Sequence, residues 1–150
     1  IRLPFACWLL EGGLKTLELR VLRQNDNAMR VAEWAGARKE IRAVVYPGLP
    51  AHPDHEIAKR LLSGFGGMLG IELAGGPRAT ERFLRRLKVF RHASSLGGVE
   101  SLVSEPRYSS HQELTAAERA RLGIADGFLR LSVGIEAPDD LIGDLEQALH

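Results

Sequence analysis

The chain has 150 residues, of which 45% are hydrophobic and 26% are charged, and its formal net charge is +1. This composition predicts one ordinary globular domain with a hydrophobic core. Basic and acidic residues are nearly balanced and interspersed, which argues against a large nucleic-acid-binding surface.

A lone cysteine and one short apolar stretch bear on the cellular setting. Cys7 has no second cysteine with which to form a disulfide or a multi-cysteine metal site, so a reducing cytoplasm is expected. The stretch from Leu3 to Leu10 is too short to span a bilayer and lacks a secretory cleavage pattern, so no membrane partner is expected. The first residue is Ile1 rather than Met, which hints at a fragment of a longer protein.

The first predicted element is helical. Between Pro4 and about Ala37, apolar residues recur at the spacing of an amphipathic helix. We predict either one long helix or two helices that meet near Gly12-Gly13, because a pair of glycines is a weak point in a helix.

Short strands and helices alternate over the rest of the chain. Strands are predicted, in chain order, at Arg42–Tyr46, Met68–Leu73, near His92–Ser94, near Glu100–Val103 and at Phe128–Ile135. Helices are predicted from an Asp54 cap to about Leu62, from Pro77 to about Leu87, after a capping box at Thr115–Glu118, and from Pro138 onward. This order favours an α/β fold of the α+β type, in which helices cover one face of a mostly antiparallel sheet.

The strand at Phe128–Ile135 carries the most informative side chain. Its alternation predicts that Leu129, Leu131, Val133 and Ile135 share the core face, with Arg130 pointing to the other face. An arginine fixed at mid-strand presents a planar set of donors that suits a carboxylate or a phosphate. On the local pattern alone, a surface ion pair with a nearby acid is the better-supported alternative.

Two other motifs are less specific. The paired glycines of Ser94–Ser101 would let backbone N–H groups approach a ligand, although most such pairs are turns. The segment His52–Glu56 suggests a metal site, but its spacing matches no zinc-binding helix and Asp54 fits a helix cap better. No metal is therefore expected.

Several segments, in order along nearly the whole chain, resemble one known family. They are GLKTLELR from Gly13, YPGLPAHPDHEIAKR from Tyr46, GFGGMLGIEL from Gly64, SLGGVESLVSEP from Ser95, and GIADGFLRLSVGIEAPDDLIGDLEQAL from Gly123. Together they resemble the carboxyl-terminal domain of the Cys/Met-metabolism enzymes that depend on pyridoxal 5'-phosphate (PLP) and carry out trans-sulfuration on cystathionine-type substrates.

The resemblance implies the small carboxyl-terminal domain of a type I PLP enzyme. Residues 1–40 would form a helical segment leading to a large domain, and residues 41–150 would form the substrate-binding domain. The large domain, absent from this chain, would carry PLP on a lysine, because none of the lysines here lies in the family's cofactor motif. The intact protein would be a cytoplasmic homotetramer that acts as a lyase or transferase on a small amino acid, and the isolated chain would be inactive.

The resemblance also assigns roles to four residues. Arg130 lies where the family's arginine binds the substrate α-carboxylate, and Ser95 lies in the segment beside that carboxylate. Ser94 stands where several relatives carry a glutamate that could meet a distal amino group, which leaves the substrate open. Ser110 would line the substrate wall, with an exposed loop serine as the equal alternative.

Two alternatives to an enzyme domain remain at this point. One is a non-catalytic assembly or regulatory module derived from the same family, and the retained Arg130 argues against it. The other is an unrelated anion-binding domain, which requires the matching segments to be accidental.

Overall fold

The computed structural model describes residues 3–150, which form six helices and a five-stranded sheet. The strands are β1 (Ile41–Val45), β2 (Met68–Leu73), β3 (Arg91–His92), β4 (Leu102–Ser104) and β5 (Phe128–Ser132). The helices are α1 (Pro4–Leu14), α2 (Leu17–Gly36), α3 (His55–Leu61), α4 (Gly76–Arg86), α5 (Ala116–Arg121) and α6 (Pro138–Leu149), with a short 3-10 turn at Pro106–Tyr108.

The sheet is mostly antiparallel, as the sequence predicts. Its strand order is β1-β2-β5-β4-β3, and only the β3–β4 pair is parallel. Strand β5 lies at the centre, opposite β2 on one side and β4 on the other. A side chain on β5 is therefore held on both flanks by hydrogen-bonded neighbours.

One face of the sheet carries the hydrophobic core, and α2, α4 and α6 cover it. The sheet contributes Leu69, Ile71, Leu73, Val103, Leu129 and Leu131, and the helices contribute Ala28, Val31, Ala32, Phe83, Leu141 and Leu145. The period-two pattern of β2 and β5 and the helical spacing of α2 and α6 bring these residues to one layer. The predicted α/β class and the one-sided helix layer are confirmed.

The amino-terminal region forms two helices, as one of the two predicted arrangements has it, and they meet shortly after the glycine pair. Gly12 and Gly13 both lie inside α1, and the break follows at Lys15 and Thr16. Nothing lies within 4 Å of a Cβ added at either glycine, so neither marks a close approach. Arg20 stabilises the break instead, because its guanidinium donates to the Gly13 carbonyl oxygen at 2.8 Å and to Thr16 Oγ1 at 3.2 Å.

The sequence predicts that Asp54 caps α3 with its side chain, and this prediction is wrong. Asp54 precedes α3 at the cap position, but its side chain accepts no capping hydrogen bond. Its backbone N–H donates to His52 Nδ1 at 3.1 Å, so a histidine ring orders this turn.

Strand β5 is shorter than predicted, because the chain leaves the sheet after Ser132. Val133 then donates to the Gly67 carbonyl oxygen at 2.8 Å and Ile135 donates to the Val99 carbonyl oxygen at 2.9 Å, both of which lie in loops. Ile135 is exposed and not on the core face, which corrects the prediction for that residue.

The remaining elements lie close to their predicted positions. The two short strands, β3 and β4, are each shifted by one or two residues from the predicted segments. The capping box of α5 is confirmed, because Thr115 Oγ1 accepts from the Glu118 N–H at 3.3 Å and Glu118 Oε2 accepts from the Thr115 N–H at 2.8 Å. No helix within residues 3–150 combines the length and apolar character that a membrane crossing requires.

Candidate functional site

Arg130 lies at the middle of the central strand, on the face that the helices leave uncovered. Its neighbours Leu129 and Leu131 are fully buried in the core, so alternation directs the Arg130 side chain the other way. The residues opposite it are Gly70 on β2 and Ser104 on β4, both small. The sheet therefore leaves room for the guanidinium on its open face.

The guanidinium of Arg130 is held by backbone carbonyl groups. Nη2 donates to the carbonyl oxygens of Ser94 and Ser95, at 2.9 and 3.2 Å. Nε is buried and has no hydrogen-bond partner. Within residues 3–150, Arg130 forms no ion pair with an acidic side chain, so the surface ion pair that the local pattern suggests is not found there. Its positive charge remains available to an anion.

A polar cleft of about 460 Å³ opens beside this guanidinium. Its lining residues are Ser94, Tyr108, Ser109, Ser110, Gln112 and Arg130. Arg130 is the one charged residue of that lining, so the cleft has a positive end and otherwise neutral polar walls.

The structure thus brings three of the four predicted site residues, Arg130, Ser94 and Ser110, to one cleft. Ser95 is not in the lining, and it contributes its carbonyl oxygen to Arg130. Ser110 is exposed, and its hydroxyl group lies 2.8 Å from His111 Nδ1. The Ser110 hydroxyl group is therefore hydrogen-bonded to the next residue in the chain.

Sequence reasoning missed the wall formed by Tyr108, Ser109 and Gln112. The short turn at Pro106–Tyr108 places these residues beside Arg130, and a partly buried ion pair between Arg107 and Glu105, with Nη2 and Oε1 3.0 Å apart, supports that turn. The Arg107 guanidinium carbon also lies 4.4 Å from the centre of the Tyr108 ring. The charged and aromatic residues of SEPRYSS were the available signal for this wall.

The fold and the cleft define an α/β domain that presents, beside a polar cleft, an arginine with no acidic partner among the described residues 3–150. Residues 1–150 match the profile of the family described as Cys/Met metabolism PLP-dependent enzyme. The chain belongs to this family.

Named relatives and solved structures agree with that membership. The chain is 48% identical over 149 residues to a cystathionine beta-lyase from Coxiella burnetii, covering 99% of this chain and 38% of the relative. It is 45% identical over 146 residues to a cystathionine gamma-lyase from Dictyostelium discoideum, covering 97% of this chain and 38% of the relative. A crystal structure of cystathionine gamma synthase from Xanthomonas oryzae pv. oryzae in complex with cystathionine superposes with a TM-score of 0.92 at 44% identity, over 97% of this chain and 38% of that one. The chain thus spans under two fifths of the length of these proteins.

Proposed function

We propose that this chain is the substrate-binding domain of a PLP-dependent lyase or transferase of sulfur amino-acid metabolism, and that Arg130 binds the α-carboxylate of the substrate. Family membership supports the class of reaction. The observation that carries the site is the guanidinium of Arg130, which lies at a polar cleft and has no acidic partner within residues 3–150.

The proposed binding step follows from how Arg130 is held. The two carbonyl oxygens fix Nη2 and so fix the plane of the guanidinium. Since Nε is buried, the N–H groups of Nη1 are the ones left for a ligand. A carboxylate accepts such charge-assisted hydrogen bonds in a defined orientation. Arg130 would thereby orient the bonds at the α-carbon of a bound amino acid.

The serines have supporting roles in this proposal. Ser94 and Ser110 form part of the cleft wall, and Ser95 holds the arginine through its carbonyl oxygen. Since the cleft lining has no acidic side chain, the wall offers only neutral groups to the distal part of the substrate.

The residues of this chain do not fit covalent attachment of the cofactor. No lysine contributes to the cleft lining, which consists of neutral polar residues and Arg130. We therefore place pyridoxal phosphate, whose role when bound is to withdraw electrons from the α-carbon, on another part of the intact protein. On this basis the isolated chain is inactive.

The remaining part of the protein would also cover α1. This helix has no buried residue, and its apolar side chains are exposed. They are Phe5, Trp8, Leu9, Leu10 and Leu14, and the exposed Leu3 directly precedes the helix. A helix that is apolar on every side is stable in water only when something encloses it. We propose that a large domain does so in a cytoplasmic homotetramer, with residues 1–40 as the connecting segment and residues 41–150 as the substrate-binding domain.

The test uses the intact protein and the substitution Arg130→Leu. We expect KM for the amino-acid substrate to rise by at least about tenfold, because the charge-assisted bonds to the carboxylate are lost. Bound cofactor, measured by its absorbance, should be unchanged. A substrate amide without the carboxylate charge should bind poorly to both proteins and should show no further loss with Arg130→Leu.

The control is Arg42→Leu, which removes another strand arginine of the same sheet. Arg42 is paired with Glu72 at 2.7 Å and lies on β1, away from the cleft. It should leave KM unchanged. Equal kinetics for Arg130→Leu and the unmodified protein would contradict the carboxylate assignment.

A further inference from the structure

Every second residue from Arg130 to Glu136, on β5 and just beyond its end, contacts the loop formed by residues 94–101. Arg130 bonds the loop at Ser94 and Ser95, and Ser132 bonds it at Gly97. Further along, the chain meets the loop again at Val99 and at Ser101. One face of one segment thus contacts the loop at four consecutive places.

The contact at Ser132 is the one next to the arginine. Ser132 Oγ is buried and accepts a hydrogen bond from the Gly97 N–H at 2.9 Å. Gly97 has a φ of 77°, a backbone conformation that side-chain-bearing residues rarely adopt. Glycine at this position therefore allows the N–H to turn toward the sheet and reach Ser132.

The far end of the loop is held independently of Arg130. A Cβ at Gly134 would collide with the Val99 carbonyl oxygen, so the loop crosses directly over this glycine. Ser101 accepts from the Gly134 N–H at 2.8 Å, and its own N–H and hydroxyl donate to the Glu136 carboxylate at 2.6 and 2.9 Å. This end is fixed by several bonds. Gly97 has one side-chain anchor toward β5, and on the next residue Gln24 of α2 donates from Nε2 to the Gly98 carbonyl oxygen at 2.7 Å.

We propose that Ser132 is a positioning residue for Arg130. The inference rests on the proposed function, since it concerns how the carboxylate-binding arginine is held. Ser132 fixes Gly97, two residues beyond the Ser95 carbonyl oxygen that Nη2 of Arg130 contacts. Without that anchor, Gly97 is no longer held against β5, and the carbonyl groups of Ser94 and Ser95 fix the plane of the guanidinium less firmly.

Ser132→Ala in the intact holoenzyme tests this role. We expect KM for the amino-acid substrate to rise about three- to tenfold while kcat stays within about twofold, because binding and not the chemical step depends on the arginine's placement. Ser132→Thr, which keeps the hydroxyl group, should restore KM most of the way. A merely structural serine would not produce this split between KM and kcat.

Gly97→Ala weakens the same hydrogen bond, between Gly97 N–H and Ser132 Oγ, by changing the loop. It provides a second test if Ser132→Ala does not fold. Nothing lies within 4 Å of a Cβ at Gly97, so the substitution acts through backbone conformation and not through a clash. It should raise KM as Ser132→Ala does, and the two changes together should raise it no further.

Thr80→Val is the matched control. It removes another buried hydroxyl group, whose oxygen lies 3.1 and 3.2 Å from the backbone carbonyl oxygens of Gly76 and Gly127 and whose one proton these two acceptors share. This hydroxyl group takes no part in the cleft. It should lower stability and leave KM unchanged.

A double-mutant cycle with Arg130→Leu separates the two proposals. If Ser132 acts through Arg130, Ser132→Ala should have no further effect on KM once Arg130 is replaced. An unchanged KM in Ser132→Ala and Gly97→Ala, or a full additional effect in the Arg130→Leu background, would overturn the positioning role and leave the carboxylate assignment standing. An unchanged KM in Arg130→Leu itself would overturn the proposed function.

Discussion

Two arginines close to the cleft, Arg107 and Arg130, differ in the groups that accept their hydrogen bonds. Arg107 is mostly buried and forms an ion pair with Glu105 at 3.0 Å, so the Glu105 carboxylate neutralises its charge. Arg130 is bonded to two carbonyl oxygens and to no carboxylate within residues 3–150. An arginine held by neutral acceptors keeps its full charge and a fixed direction, which is what recognition of an anion requires.

Tyr46 gives the domain a pH dependence that does not involve the cleft. Its hydroxyl group donates to the Gly66 carbonyl oxygen at 2.8 Å. Burial, assisted by the negative charge of Asp26, raises the pKa of Tyr46 to about 12. The folded state therefore holds this proton more tightly than the unfolded state, whose tyrosine has the ordinary pKa of 10.0.

This difference predicts that the tyrosine contribution to stability is complete below pH 10 and is lost as the pH rises toward 12. Tyr46→Phe should remove this part of the pH dependence, which amounts to about 3 kcal/mol. Urea denaturation of the intact protein across this range measures it. Tyr108→Phe, at a tyrosine that is 66% exposed, is the control. Parallel stability curves for Tyr46→Phe and the unmodified protein would contradict the assignment.

At the scale of elements, Asp144 joins a helix to the strand edge. It is buried on α6 and accepts the backbone N–H groups of Lys88, Val89 and Phe90 at 2.7, 2.8 and 2.9 Å. These residues belong to the connection between α4 and β3. That connection contains no helix or strand. One carboxylate thus fixes the position of that connection.

Asp144→Ala should lower the free energy of unfolding by about 3 kcal/mol, because three N–H groups lose their acceptor and the one on Phe90 is buried. Chemical denaturation measures the change. Asp139→Ala on the same helix is the control, since Asp139 forms an exposed ion pair with Arg30. A loss no larger than that of Asp139→Ala would contradict the role given to Asp144.

Alternation and capping made several elements predictable from the sequence. The period of two at Leu69, Ile71 and Leu73 and the capping box at Thr115 are local signals, and the structure confirms both. The helix junction at Thr16 depends on the two hydrogen bonds of Arg20, and the turn at Asp54 depends on the ring of His52. Helix propensity does not encode such side-chain contacts.

The candidate site also has a part that the sequence predicts and a part that it does not. The position of Arg130 on the open face follows from strand alternation alone. The cleft wall at Tyr108 and the anchoring of Gly97 by Ser132 depend on contacts between residues far apart in sequence. No local pattern contains such contacts, so these parts of the site required the three-dimensional structure.

At the scale of the whole molecule, the chain shows an apolar helix that its own fold does not cover. Phe5 and Trp8 on α1 are 68% and 65% exposed. If a further domain encloses them, Phe5→Gln together with Trp8→Gln should destabilise the intact protein by about 3 kcal/mol or more. Leu61→Gln on α3, at a residue that is 69% exposed, is the control and should have little effect. Equal stability of all three proteins would show that α1 is uncovered.

A crystal structure of the intact protein with an unreactive amino acid in the cleft tests the role of Arg130 most directly. We expect a carboxylate oxygen within about 2.7–3.0 Å of Nη1 of Arg130, with Nη2 still bonded to the carbonyl oxygens of residues 94 and 95. A carboxylate bound by another group, with Arg130 contacting only those carbonyl oxygens or solvent, would contradict it.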